Sequence, residues 1–222
     1  MIRSDIINHL IEKYNYQTYL EIGLGDGRNY LRINCRHKEC VDPYEGDFDR
    51  NYSVDVNEFI REHILTYQMT SDEFFETEGR DKKYDLIFID GLHMEEQVDR
   101  DILNSLRHLN EGGRVVVHDC LPFSKEAQLP VEERIDGNWN GTVWKSIPKL
   151  ALMGIEYFVV DTDFGCGIIE YHPNADKLEL PPPADYEYDD VFKSEITKRI
   201  MLRIITPETF MNIFDGRILS VR

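Results

Sequence analysis

The chain is short of cysteine, of long apolar runs and of clustered positive charge. Its four cysteines, Cys35, Cys40, Cys120 and Cys166, have no metal-ligand spacing. They read as reduced thiols of a cytoplasmic protein. No apolar run approaches the roughly 18 residues that cross a bilayer, and no signal-peptide pattern opens the sequence. Neither a transmembrane span nor a membrane partner is therefore expected. Lysine and arginine number 25 against 42 aspartates and glutamates, a formal net charge of −17. Such a charge repels a polyanion and no Lys/Arg run offsets it, so no nucleic-acid partner is expected. Internal repeats and low-complexity segments are absent as well.

What is present suits one substantial core. The chain has 222 residues, 41% of them hydrophobic, an ordinary size for an α/β domain. It is organised around Tyr19 to Asn29. The apolar run Tyr19-Leu20-Glu21-Ile22 leads into glycines at alternate positions, Gly23, Gly25 and Gly27. The pattern predicts a buried strand turning sharply into a helix. Glycine admits positive φ and lets a ligand approach bare backbone. A helix beginning there aims free N–H groups at that ligand.

The next strand, Glu39 to Asp42, ends in an acid about 20 residues after Glu21, where nucleotide-binding βαβ units hold ribose hydroxyls. Dinucleotides and S-adenosylmethionine (SAM) both fit such a unit. Dinucleotide sites favour Gly-x-Gly-x-x-Gly, which accommodates a pyrophosphate. Here the spacing is Gly-x-Gly-x-Gly with Glu21 just ahead of it, which suits the sulfonium and the zwitterionic tail of SAM. On Glu21-Ile22-Gly23-Leu24-Gly25-Asp26-Gly27 and Val41-Asp42-Pro43 the sequence resembles the class I SAM-dependent methyltransferases. The resemblance covers roughly Thr18 to Tyr171.

The remaining chain reads as alternating elements. Ile6, Ile7, Leu10 and Ile11 predict a helix over Ser4–Lys13 with Ser4 as N-cap. Asn29–Asn34 is expected as a short helix, Pro43–Asn51 as a loop and Asn57–Ile64 as a helix. Ser71 and Asp72 are expected to cap a helix carrying Phe74 and Phe75 inward. Tyr84–Asp90 is the strongest strand, apolar enough for burial on both faces. A helix over Glu95–Leu109 follows, ended by Asn110–Gly113, and then a strand over Arg114–Asp119. Pro122–Gly141 reads as a substrate-facing lid bordered by Trp139 and Trp144. Val143–Met153 is expected as a helix interrupted near Pro148, and Tyr157–Val160 with Gly167–Tyr171 as an antiparallel pair at the sheet edge. The fold class expected is a Rossmann-like doubly wound sheet, mostly parallel with an antiparallel edge strand and helices on both faces. The methyltransferase domain is expected to span 1–172. A C-terminal extension, 173–222, follows: Pro181–Pro183, an acidic stretch, and an amphipathic helix through Phe192, Ile196, Ile200 and Ile204. It is expected to pack on the same domain or to join two copies as a homo-oligomer.

Ligands of such sheets bind at the carboxyl ends of the strands. Asp90, His118 and Asp119 all fall there. Carboxylates with an imidazole suit a hard divalent cation such as Mg²⁺, so these three are the candidate metal ligands. Ile89-Asp90-Gly91-Leu92-His93 and Val117-His118-Asp119 also resemble a subgroup, the metal-dependent small-molecule O-methyltransferases that include the macrolide-sugar enzymes and, more distantly, catechol O-methyltransferase. That resemblance implies metal binding by Asp90 and Asp119 and a general base at His93. It implies SAM along Glu21, Gly23, Gly25, Gly27 and Asp42, with Ser71 and Asp72 near the adenine and Asp90 bordering the cofactor. The acceptor it implies is a small hydroxylated molecule, such as a sugar or glycan unit. Two other readings stay open: a nicotinamide-dependent oxidoreductase, and a non-catalytic SAM-binding or assembly protein. No Asn/Asp-Pro-Pro-Tyr motif for N-methylation of bases occurs.

Overall fold

A strand as apolar as Tyr84–Ile89 needs cover on both faces and both edges. In the computed structural model, which describes residues 1–43, 62–133 and 139–215, it receives them. This strand, β3, pairs in parallel with β1 (Thr18–Ile22) on one side and β4 (Leu109–Val117) on the other. Parallel β2 (His37–Val41) flanks β1. Beyond β4 come β6 (Cys166–Glu170) and β5 (Tyr157–Val160), antiparallel to each other as expected. A two-residue strand, β7 (Ile204–Ile205), pairs in parallel with β5 and closes that edge. Among the described residues the order is β2-β1-β3-β4-β6-β5-β7. This is the Rossmann-like sheet the sequence predicts, mostly parallel and covered on both faces.

Side chains alternate across a strand, so each strand feeds two cores. Leu86, Phe88 and Val116 meet Ile6, Ile7 and Leu10 of α1 (Arg3–Tyr14) on one face. Ile87, Ile89, Val115 and Val117 meet Val98, Ile102 and Leu106 of α4 (Glu95–Arg107) on the other. Each such side chain, fully buried, contributes about 1.5–3 kcal/mol of transfer free energy. The shorter helices are α2 (Arg28–Arg32), α3 (Ser71–Glu76) and α5 (Ser146–Leu152).

Several boundaries differ from expectation for local reasons. Helix α1 begins one residue early, at Arg3, and Ser4 is buried in its first turn; Asp5 accepts from the Ile2 N–H instead of a Ser4 cap. The cap of α3 is Thr70, whose hydroxyl accepts from the Glu73 N–H at 3.2 Å, one residue ahead of the expected pair. Helix α4 ends at Arg107, and Asn110–Gly113 lies inside β4, where the register with β3 shifts and Asn110 Nδ2 donates to Asp85 at 2.7 Å. Pro148 is the third residue of α5, where a missing N–H costs nothing, so it does not interrupt the helix. The helix expected at 57–64 lies largely outside the described residues.

The extension folds back onto the core. Its expected single helix is two, α6 (Tyr188–Phe192) and α7 (Glu195–Leu202), because Ser194 caps the second by accepting from the Thr197 N–H at 3.3 Å. Ile196 and Ile200 consequently face outward, while Val191 and Leu202 are buried. Ile204 enters β7. Phe210 and Phe214 of α8 (Pro207–Phe214) then pack in the same cluster as α1.

Candidate active site

The carboxyl ends of β1, β3 and β4 lie side by side, which brings the glycine loop against Asp90. Gly23 has φ +86°, and a Cβ there would lie 2.2 Å from the Asp90 carbonyl oxygen. Asp90 N–H donates to Ile22 O at 2.8 Å, and Gly23 N–H to Val41 O at 2.9 Å. Gly27, φ +72°, is the N-cap residue of α2. Asp42 is buried at the end of β2, and its Oδ2 accepts from the N–H groups of Leu24 and Gly25 at 2.8 and 3.2 Å. It thus braces the loop from beneath.

Above the loop is a cleft of about 400 Å³. Glu21, Gly23, Gly25, Asn29, Asp90 and Arg3 are among its lining residues. Glu21 is buried, with its Oε2 taking hydrogen bonds from Tyr19 Oη and from Asn29 Nδ2 at 2.9 Å. Burial drives its pKa up to about 8; those two hydrogen bonds pull it only part of the way back. Ser71 and Asp72 do not line this cleft. Ser71 Oγ donates to the buried Asp101 at 2.6 Å, and Asp72 pairs with Arg100 Nε at 3.0 Å. Val41 and Tyr67 form an isolated parallel bridge ahead of Ser71 and Asp72.

Asp90, His93, His118 and Asp119 converge at the end of the cleft. His93 Nε2 is 3.3 Å from Asp90 Oδ1, and its Nδ1 is 3.3 Å from Asp119 Oδ2 without forming a hydrogen bond there. His118 Nδ1 is 3.3 Å from both Asp90 Oδ1 and Asp119 Oδ2. Asp119 holds its place from the left-handed region, φ +62°, a conformation aspartate tolerates better than most residues. Asn140 Nδ2 donates to its Oδ1 at 2.5 Å.

The end of the expected lid, with Thr142 just after it, pins His93. The Trp139 ring stacks on the imidazole at 5.1 Å and 17°. Thr142 N–H donates to His93 O at 2.8 Å. Gly141, φ +61°, lies so near that a Cβ would be 2.0 Å from His93 O. Residues 134–138 of that stretch lie outside the described residues.

Two further groups join the cluster that local sequence patterns did not single out. Asp163 sits in the β5–β6 turn, where Asp163, Phe164 and Gly165 all have positive φ, +49°, +61° and +87°. Because β5 runs in the direction of β4, that turn comes up at the same end of the sheet; the topology was the available signal. Arg3, in the first turn of α1, donates from Nη1 to Asp90 Oδ2 at 2.6 Å and from Nε to Asp163 Oδ2 at 3.1 Å. Nothing local in the sequence marks it.

The electrostatics sort the two imidazoles. Burial alone would lower the pKa of His118, but the charges of Asp90 and Asp119 outweigh it and hold it well above the ordinary value. His93 is also raised, by its hydrogen bond to Asp90 and by Asp119, against burial. Burial would raise Asp90, yet His118 and His93 hold it well below the usual carboxylate range. Asp163 is held down to about 2, against burial, by His118 and Arg3. With both nitrogens directed at carboxylates, His118 serves as their cationic partner. One donor atom from each of Asp90, His93 and Asp119, by contrast, lies within 4.8 Å of the other two. The two carboxylates of that set, Asp90 and Asp119, are also two of the three expected metal ligands, and their oxygen donors suit a divalent cation. His118, Asp163 and Cys166 also cluster, but burial pushes the Cys166 thiol up to about 12, which keeps it protonated.

Residues 20–120 match a family model described as a methyltransferase domain. An O-methyltransferase from Bacillus cereus in complex with SAH shares the fold with a TM-score of 0.54 at 11% identity, over 77% of this chain and 80% of that one. A candidate O-methyltransferase from Klebsiella pneumoniae gives 0.53 at 14% identity, over 77% and 80%. A candidate caffeoyl-CoA O-methyltransferase from Staphylococcus aureus gives 0.51 at 18%, over 76% and 82%. No curated protein sequence matches the chain. Residues 20–120 thus resemble a methyltransferase domain, and the sheet built around them has the fold of these O-methyltransferases.

Proposed function

We propose that this protein transfers the methyl group of SAM to a hydroxyl of a small acceptor. The observation that carries the reading is the junction of the two sites. The cofactor cleft of the glycine loop ends on Asp90, whose other side belongs to the His93–Asp119 cluster. Bound SAM supplies the methyl as a sulfonium, whose C–S bond breaks as the bond to the acceptor oxygen forms. The chain does the rest. Gly23 and Gly25 let the ligand reach backbone, Glu21 receives its ammonium group, and Asp42 keeps the loop N–H groups in place. His93 takes the acceptor proton. Asp90 and Asp119 would hold a divalent cation such as Mg²⁺, which lowers the pKa of a bound hydroxyl. Full activity after exhaustive chelation would remove that cation from the account.

A second cleft, of about 390 Å³, meets the first at Asp163. Phe123, Phe164, Tyr188 and Phe192 line it. Aromatic walls beside a few polar groups suit a ring-shaped acceptor, which supports a sugar or glycan unit that stacks its C–H face there. All four cysteines are free, which supports a reducing, cytoplasmic setting. Among the described residues no helix is long and apolar enough to cross a membrane.

A thermal-shift comparison of SAM with NAD tests the class. At about 100 times Kd, SAM should stabilise the fold by about 2.7 kcal/mol, a rise of about 5–10 °C in Tm for a chain of this size, with no rise from NAD. The reverse pattern would make the protein an oxidoreductase. Asp42→Ala removes two hydrogen bonds to a carboxylate, so SAM Kd should weaken tenfold or more. An unchanged Kd by calorimetry would take Asp42 out of the site.

Glu21 gives the binding a pH dependence of known sign. Below pH 8 the empty site holds a proton on Glu21, and an arriving ammonium must displace it. SAM affinity should therefore rise up to about tenfold per pH unit from pH 6 to 8 and level off above. Glu21→Gln should flatten the profile; a flat wild-type profile would show that no ammonium meets this carboxyl.

A further inference from the structure

We propose that Arg3 is a resident cation of the acid cluster beside His118, seated on Asp90 Oδ2, and that a divalent cation takes that oxygen only by displacing it. The inference rests on the metal reading above and concerns what that metal must overcome.

Arg3 is placed by three bonds. Its backbone N–H and its Nε both donate to Asp163 Oδ2, at 2.9 and 3.1 Å. With the stem fixed, Nη1 lies 2.6 Å from Asp90 Oδ2 and 3.1 Å from His118 Nδ1. The other oxygen of Asp90 faces the two imidazoles at 3.3 Å. Arg3 thus occupies Oδ2 of Asp90, the oxygen that no imidazole faces. Guanidinium does not lose its charge at any working pH, so proton loss cannot vacate the position. A dication and a guanidinium sharing one carboxylate would also repel each other strongly at such separations.

The anchoring is specific to this corner of the fold. Asp163 meets Arg3 from the β5–β6 turn, where three consecutive residues adopt positive φ. The N–H it accepts is one of the unpaired donors at the start of α1. Release needs only that first turn to open, and helix ends are where local opening is least costly.

Mn²⁺ titration followed by the loss of the free-ion EPR signal tests this without any acceptor. Arg3→Gln should tighten Mn²⁺ binding at least tenfold. Asp163→Asn separates occupancy from the general field. Removing a nearby negative charge should weaken cation binding on field grounds, whereas freeing Arg3 from its anchor should tighten it; tightening is expected. Asp90→Asn in the Arg3→Gln background should abolish binding. Equal Kd values for wild type and Arg3→Gln, or weaker binding in Asp163→Asn, would overturn the proposal and leave the metal reading standing. Absence of Mn²⁺ binding in wild type and in both variants would overturn the metal reading itself, and this proposal with it.

Discussion

Replacing His93 with alanine is expected to lower kcat about 10²–10⁴-fold while SAM affinity stays within about twofold. The size follows from what the residue does alone. Its ring is clamped by the Trp139 stack and by the Thr142 bond to its carbonyl, so orientation is set before an acceptor arrives. Asp90 holds Nε2, and Nδ1 makes no hydrogen bond among the described residues. His118 is a poor substitute because it is already the cation between two carboxylates. Imidazole must be neutral to accept a proton, so the rate should fall on the acidic side, and that limb should vanish in the variant. A kcat within about threefold of wild type on the true acceptor would end the assignment.

The second large effect is expected at Gly23. Alanine there must place a methyl 2.2 Å from the Asp90 carbonyl and hold φ near +86°. The left-handed conformation costs a non-glycine residue about 1–2 kcal/mol, and forcing extra volume into a packed site about 1–3 more. Together that is about 2–5 kcal/mol of stability, read as a lowered midpoint in urea. The loss should not stop at stability. The strand ends that Gly23 and Asp90 keep in register are the two walls of the cofactor cleft, so SAM binding should fall at least 100-fold. Gly25→Ala is the control: its Cβ would meet nothing within 4 Å, so only the strain of φ +50° remains. If Gly23→Ala binds SAM as well as Gly25→Ala does, the close approach of β1 and β3 is not what shapes the cleft.

The parts of this molecule legible in the sequence are those whose signal is local. An unbroken apolar run such as Tyr84–Ile89 reports burial on both faces. Alternate glycines after a strand report a turn, and an acid at a strand end reports its own position at the carboxyl face. Asp90, His118 and Asp119 could be brought together on that basis because their strands are neighbours, whereas His93 comes from the family resemblance. What could not be read is which partner each group takes. Asp42 serves the loop backbone, and Ser71 serves Asp101, because hydrogen-bond acceptors are shared out by distance after folding. Arg3 and Asp163 are 160 residues apart, and only the sheet order brings them together. In the tail, Ile196 and Ile200 keep helical spacing yet face outward while Val191 and Leu202 are buried, so periodicity alone does not tell which residues the fold covers.

Calorimetric titration of SAM, run at pH 7 in two buffers of different ionisation enthalpy, tests the central claim most directly. A cleft built as described should bind SAM one-to-one and release close to one proton, because Glu21, with a pKa of about 8, must ionise to meet the ammonium group. Glu21→Gln should bind more weakly and release none. Absence of saturable binding, or binding with the same proton release in Glu21→Gln, would contradict the cofactor site from which every other role here is argued.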